Sequence, residues 1–145
     1  VGDKAYGVSA GDGEAHFTLR AYTNEGLQII WQELTKQATA IAGAHQLGIA
    51  FDFTEDFLAN TNDEEAVQMI RNAARSHNLE YVEMADSNPF GEDFGAITSN
   101  LKGAMFGLGA GETNPDLHNP DYDFPDELIA TGAAMFVDLI KQAQR

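Results

Sequence analysis

The sequence predicts an α/β (α+β) fold in two parts. Residues 1–58 read as β-β-α-β, and residues 59–145 as α-β-α-β-α, the rhythm of a doubly wound sheet. Three observations predict this. Residues 15–22 alternate between apolar and polar, the period of a strand with one buried face. Apolar residues at helical spacing run over 27–41 and 128–140. The apolar run Gly103–Leu108 is bounded by turn formers, the pattern of a strand buried on both faces. Neither part is complete: the first leaves a sheet face half covered, and the strands of the second do not make a parallel sheet.

Asp3–Ala10 reads as a short strand and Gly11-Asp12-Gly13 as a turn. From Glu14 to Tyr22, one face carries Ala15, Phe17, Leu19 and Ala21, and the other carries His16, Thr18, Arg20 and Tyr22. These segments form a predicted hairpin. Thr23 or Asn24 caps a helix that buries Leu27, Ile30, Trp31, Leu34, Ala38 and Ile41 and ends near His45. Leu47–Phe53 is the third strand, and Thr54–Thr61 a loop. Asn62 opens the second helix, with Glu65 as its capping-box partner and Val67, Ile70 and Ala74 facing inward. That helix ends at His77-Asn78. Glu80–Met84 is a strand, and Glu92–Asn100 a short helix. Pro125 and Asp126 start the last helix, which carries Leu128, Ile129, Gly132, Met135, Phe136, Leu139 and Ile140. Lys141 and Arg145 suit its C-terminal dipole.

At 145 residues and 43% hydrophobic, the chain is long enough for a domain with a real core. A net charge of −15 argues against nucleic acid, whose binders need a basic footprint. The sequence has no apolar run near the ~18 residues of a membrane span. Its first residues lack the regions of a signal peptide, and it does not start with Met, so a processed or truncated chain is expected. The absence of cysteine fits a reducing compartment, and a cytoplasmic location is expected.

Four stretches have residues suited to chemistry. His118 stands in Leu117-His118-Asn119-Pro120-Asp121-Tyr122-Asp123-Phe124, after the buried-type run. Loops leaving strand ends line crevices in α/β sheets, so its imidazole is a candidate metal ligand, with Asp121 or Asp123 as acceptors for the other ring nitrogen. From the residues alone, a locally hydrogen-bonded loop histidine is the commoner outcome. Glu92-Asp93 places two carboxylates at a helix start, where backbone N–H groups hold them or where they line a cationic pocket. Arg20, on the polar face of a strand, is either a surface residue or a clamp for a substrate carboxylate. Gly107-Leu108-Gly109-Ala110-Gly111 lacks the spacing and the following helix of a dinucleotide fingerprint. His16, His45 and His77 have weaker claims, the last two as helix C-terminal residues.

Taken together, Gly91-Glu92-Asp93-Phe94, the Gly103–Gly111 run, the Leu117–Phe124 stretch and the last helix resemble the C-terminal part of the zinc-dependent amidohydrolases. That family includes aminoacylases, hippurate hydrolases and related carboxypeptidases and dipeptidases. Phe17-Thr18-Leu19-Arg20 and Thr61-Asn62-Asp63 resemble its lid domain and the return to its catalytic domain. The resemblance implies that residues 1–58 are part of a ferredoxin-like lid or dimerisation domain. It implies that residues 59–145 are the C-terminal part of a metal-binding catalytic domain.

By position, the resemblance makes His118 a metal ligand, and Arg20, Glu92 and Asp93 substrate-binding residues. It implies two zinc ions in an intact enzyme, a small-molecule amide substrate such as an N-acyl amino acid or a dipeptide, and a homodimer through the lid. The family's general base and early ligands belong to its N-terminal half, and nothing in this chain matches them. The chain departs from the family pattern at Gly91, where serine is usual, and at Gly7-Val8-Ser9-Ala10. The expectation is therefore an inactive C-terminal fragment of an amidohydrolase. The alternative is a non-catalytic binding or dimerisation module of the same fold.

Overall fold

The computed structural model describes residue 4 and residues 6–144. Among these residues there are helices and no strand: α1 (Asn24–Ala44), α2 (Glu64–Ser76), α3 (Phe94–Thr98) and α4 (Glu127–Ala143). This overturns the predicted α/β architecture, both the partial ferredoxin-like β-β-α-β lid and the α-β-α-β-α part of a doubly wound domain. Residues 14–22, 47–53, 80–84 and 103–108 form no ladder. Of the first predicted strand, residues 3 and 5 lie outside the described residues. The physical reason is that alternation fixes only which way side chains point. A strand exists when another segment supplies the matching row of N–H and C=O groups.

The chain divides into two compact units, Val1–Thr54 and Glu55–Arg145. In the first, Thr23 caps α1: its backbone is extended (φ −133°, ψ 154°) and its Oγ1 accepts from the Gly26 N–H at 3.0 Å. The helix ends at His45, followed by Gln46 at φ +57°. Gln46 N–H donates to Gly43 O at 3.1 Å and Leu47 N–H to Ala42 O at 2.9 Å, the paired bonds of a Schellman cap. Trp31 packs edge-on to Phe51 and Phe53, with ring centroids 5.5 and 3.8 Å away. The run expected to be a strand thus folds back onto α1 through its side chains. Ala42 is the buried apolar residue of this unit, and Ile30 and Ile41 of the predicted stripe are exposed.

In the second unit, α2 packs against α4. Ile70, Ala73 and Ala74 meet Met135, and Leu79, Tyr81, Ala104, Phe106 and Leu139 surround them. Asp63, not Asn62, caps α2: its Oδ1 accepts from the N–H groups of Glu65 and Ala66, each at 3.1 Å. The predicted Asn62–Glu65 box does not form, because the Asn62 amide is committed elsewhere. Its Oδ1 accepts from Met105 N–H at 2.9 Å and its Nδ2 donates to Met105 O at 3.0 Å. One side chain therefore supplies the pair of bonds that a neighbouring strand would make. Asp63 N–H adds a bond to Gly103 O at 2.9 Å. The far end of α2 repeats the cap of α1, with Asn78 at φ +54° and Leu79 N–H on Ala74 O at 2.9 Å.

Two further contacts tie α2 to α4. Asp138 accepts from Ser76 Oγ and lies 3.2 Å from His77 Nε2. Gln142 Nε2 donates to Met69 O at 3.1 Å. α3 rests on the backbone of residues 58–59, a fit that only glycine permits: a Cβ on Gly95 would stand 2.0 Å from Leu58 O. The opposite face of α4, with Ile129, Phe136, Val137 and Ile140, is exposed. The accessible surface is 12228 Å², against about 7,300 Å² expected for a folded chain of 15.7 kDa.

Candidate metal-ligand loop and acidic turn

Two consecutive turns present His118. Asn119 N–H donates to Asp116 O at 3.1 Å, and Tyr122 N–H donates to Asn119 O at 3.0 Å. Pro120 stands second in the latter turn, where its fixed φ is favourable. In the former, His118 occupies the third position at φ +70°, the left-handed conformation of a type II turn. Glycine or asparagine is usual there, because a Cβ is crowded in that conformation. A histidine held there is exposed, and its imidazole takes part in no hydrogen bond or ion pair among the described residues. Neither Asp121 nor Asp123 accepts from it. The two turns thus present an exposed imidazole whose nitrogens are not engaged by the described residues.

Glu92 and Asp93 lie side by side at the start of α3, both exposed. Glu92 folds back so that its Oε1 accepts from the Asp93 N–H at 2.8 Å. Asp93 is the N-cap residue of α3 but makes no side-chain cap bond, so its carboxylate remains available. Gly91 is explained by Phe57: a Cβ on Gly91 would stand 2.6 Å from the Phe57 ring. The phenyl edge occupies the room that a serine side chain would need.

Arg20 is exposed in the first unit and does not lie on a strand. Among the described residues, no group of three or more His, Cys, Asp or Glu stands close enough to hold a metal ion. The structure therefore joins Glu92 to Asp93 but does not bring either into a ligand cluster with His118. Among the described residues, His16 is paired with Glu14 alone, at 3.6 Å on the surface.

Sequence reasoning missed two sites. One is the Ser76–Asp138–His77 contact, in which the Ser76 hydroxyl, with smaller help from His77 and Lys141, holds the Asp138 carboxyl below the usual range. Ser76 and Asp138 are 62 positions apart, so no local pattern announces it. The other is a groove of about 530 Å³ lined by Arg71, Arg75, Leu79, Tyr81 and Glu83. Two arginines one helical turn apart in a chain with 8 Lys and Arg were a legible signal for it. No helix among the described residues is long and apolar enough to cross a membrane.

The profile of peptidase family M20/M25/M40 matches residues 3–142. An N-acetyldiaminopimelate deacetylase of Oenococcus oeni is 27% identical over 137 residues, covering 88% of this chain and 34% of that protein. The protein of that name from Listeria monocytogenes serotype 4a is 32% identical over 113 residues, covering 77% of this chain and 30% of its own length. That from Listeria innocua serovar 6a is 29% identical over 125 residues, covering 86% and 33%. The chain thus spans about a third of the length of the curated relatives it matches. No solved structure matches it. With the family profile running through Glu92-Asp93 and the His118 loop almost to the end of α4, the chain belongs to peptidase family M20/M25/M40.

Proposed function

We propose that this chain supplies His118 as one metal ligand, and the Glu92-Asp93 turn as pocket wall, to a metal-dependent amidohydrolase of N-acyl amino acids or dipeptide-like amides. The observation that carries the reading is the family match over residues 3–142, which includes a histidine held outward in a left-handed turn. The names of the relatives make N-acetyldiaminopimelate the first substrate to test. Arg20 serves as the clamp for a substrate carboxylate, a task suited to a planar guanidinium fork. The Asp93 carboxylate, unengaged by its own helix, is an acceptor for a substrate N–H. A two-zinc centre and a homodimer belong to this reading of the intact enzyme.

The donors of this chain do not fit a catalytic metal centre by themselves. A catalytic zinc takes about three protein ligands, and the described residues hold no such group. No catalytic step is therefore assigned to this chain, and the general base is expected in the part of the family that it does not span. The second reading is a binding module without catalysis.

Calorimetric titration with zinc separates the two. Weak binding to this chain that His118→Ala abolishes supports the ligand assignment, and binding unchanged by that substitution sinks it. Tight one-to-one binding would contradict the incomplete donor set. In an intact enzyme, His118→Ala with full metal content and unaltered N-acetyldiaminopimelate hydrolysis would leave only the second reading.

A further inference from the structure

We propose that the groove between the C-terminal half of α2 and residues 79–83 binds a small phosphate-type dianion, orthophosphate or a phosphate monoester, through Arg71 and Arg75. The site is independent of the His118 loop and of amide hydrolysis. Arg71 is already positioned for the task. Its Nη1 donates to Gln68 Oε1 at 3.1 Å, and its guanidinium carbon lies 4.9 Å from the Tyr81 ring centroid. Its side chain is only 24% exposed, so little rotamer freedom remains to be lost on binding. Arg75 follows one turn later on the same face, exposed and with no side-chain partner among the described residues. Like charges four residues apart on a helix repel each other. A bound dianion turns that repulsion into a shared attraction.

The groove's own carboxylate does not cancel this charge. Glu83 reaches Arg71 at 3.5 Å with 77% of its side chain in solvent, the geometry of a weak surface pair. A ligand that offers charge-assisted bonds to both guanidiniums displaces it. Leu79 and Tyr81 form an apolar floor, which excludes water from one side of the ligand and strengthens those bonds. Two guanidinium forks offer more donors than one flat carboxylate can accept, whereas a tetrahedral phosphate dianion presents oxygens to both. The volume of about 530 Å³ admits a small ligand. The chain's net charge of −15 repels long polyanions, whose charges extend past the roughly 8 Å reach of screening.

Arg75 also lies in the last turn of α2, where any cation offsets the helix dipole. Arg75→Lys keeps that charge and removes the fork, so it separates the two roles. The experiment is titration of the protein with inorganic phosphate by calorimetry in low-salt buffer. One saturable site is expected, weakened at least tenfold by Arg75→Gln and by Arg71→Gln and severalfold by Arg75→Lys. Lys102→Gln, outside the groove, leaves it unchanged. Far-UV circular dichroism confirms that the helices of each variant persist. Non-saturable binding, equal affinity in Arg75→Gln, an equal loss in Lys102→Gln, or succinate binding as tightly as phosphate would each overturn the proposal.

Discussion

The left-handed backbone at His118 allows its strain and its use to be separated. At φ +70° a residue with a Cβ carries a cost of about 1–2 kcal/mol relative to a relaxed turn. Replacing His118 with glycine removes that cost but adds about 0.5–1 kcal/mol of backbone entropy in the unfolded chain. The exposed imidazole makes no hydrogen bond or ion pair among the described residues that either change would break. His118→Gly should therefore stabilise the second unit by about 0.5 kcal/mol, a rise of roughly 2–4 °C in Tm for a unit of this size. His118→Ala keeps the Cβ and should leave Tm within about 1 °C. Thermal melts followed at 222 nm compare the three proteins directly. If alanine stabilises as much as glycine, the strain is not in the backbone. If both destabilise by more than about 1 kcal/mol, the ring has packing contacts that the structure does not contain.

Met135→Ala should cost about 2 kcal/mol, the low end for a buried methionine, because its partly exposed neighbours can close the gap; urea denaturation gives the value. Asn62→Ala leaves Met105 N–H and C=O without their partner and should cost about 1–2 kcal/mol, with faster amide exchange at Met105 as its local signature. Gly91→Ser forces the Phe57 ring to move and should destabilise by about 1–2 kcal/mol, and Phe57→Leu in the same chain should recover part of that loss. The Asp138 carboxyl is held below its ordinary value, chiefly by the Ser76 hydroxyl, so its contribution is fully present above the unfolded carboxyl's pKa. It is lost as pH falls below about 4, and Asp138→Asn should flatten that part of the stability profile measured by urea midpoint.

The helices were legible because their signals are local. Thr23, the Leu27–Ala38 spacing and the Pro125-Asp126 start each act within a few residues, and the structure uses them. The strands were not, because pairing is a property of two segments, and alternation at Ala15–Tyr22 says nothing about a partner. The cap of α2 lies one residue beyond the predicted Asn62 for a related reason. Asn62 is drawn away by Met105, 43 positions later, a contact that no window of sequence contains. At the candidate site, the turn formers around His118 foretold a loop, and Gly91 was visible as a departure. The ring of Phe57 that makes this glycine necessary was not.

Asn62 covers one rung of the Gly103–Leu108 run, and the other peptide groups of that run form no ladder. Apolar stretches whose peptide groups stand outside a ladder are adhesive toward copies of themselves. The charge of −15 then acts as a colloidal brake, because like-charged molecules repel one another before such stretches can meet. The brake weakens as carboxylates protonate. Near the isoelectric point of about 4.3 the same stretches meet without opposition, so the acidity of this chain sets how readily its copies associate, as the caps of its helices set where they begin and end.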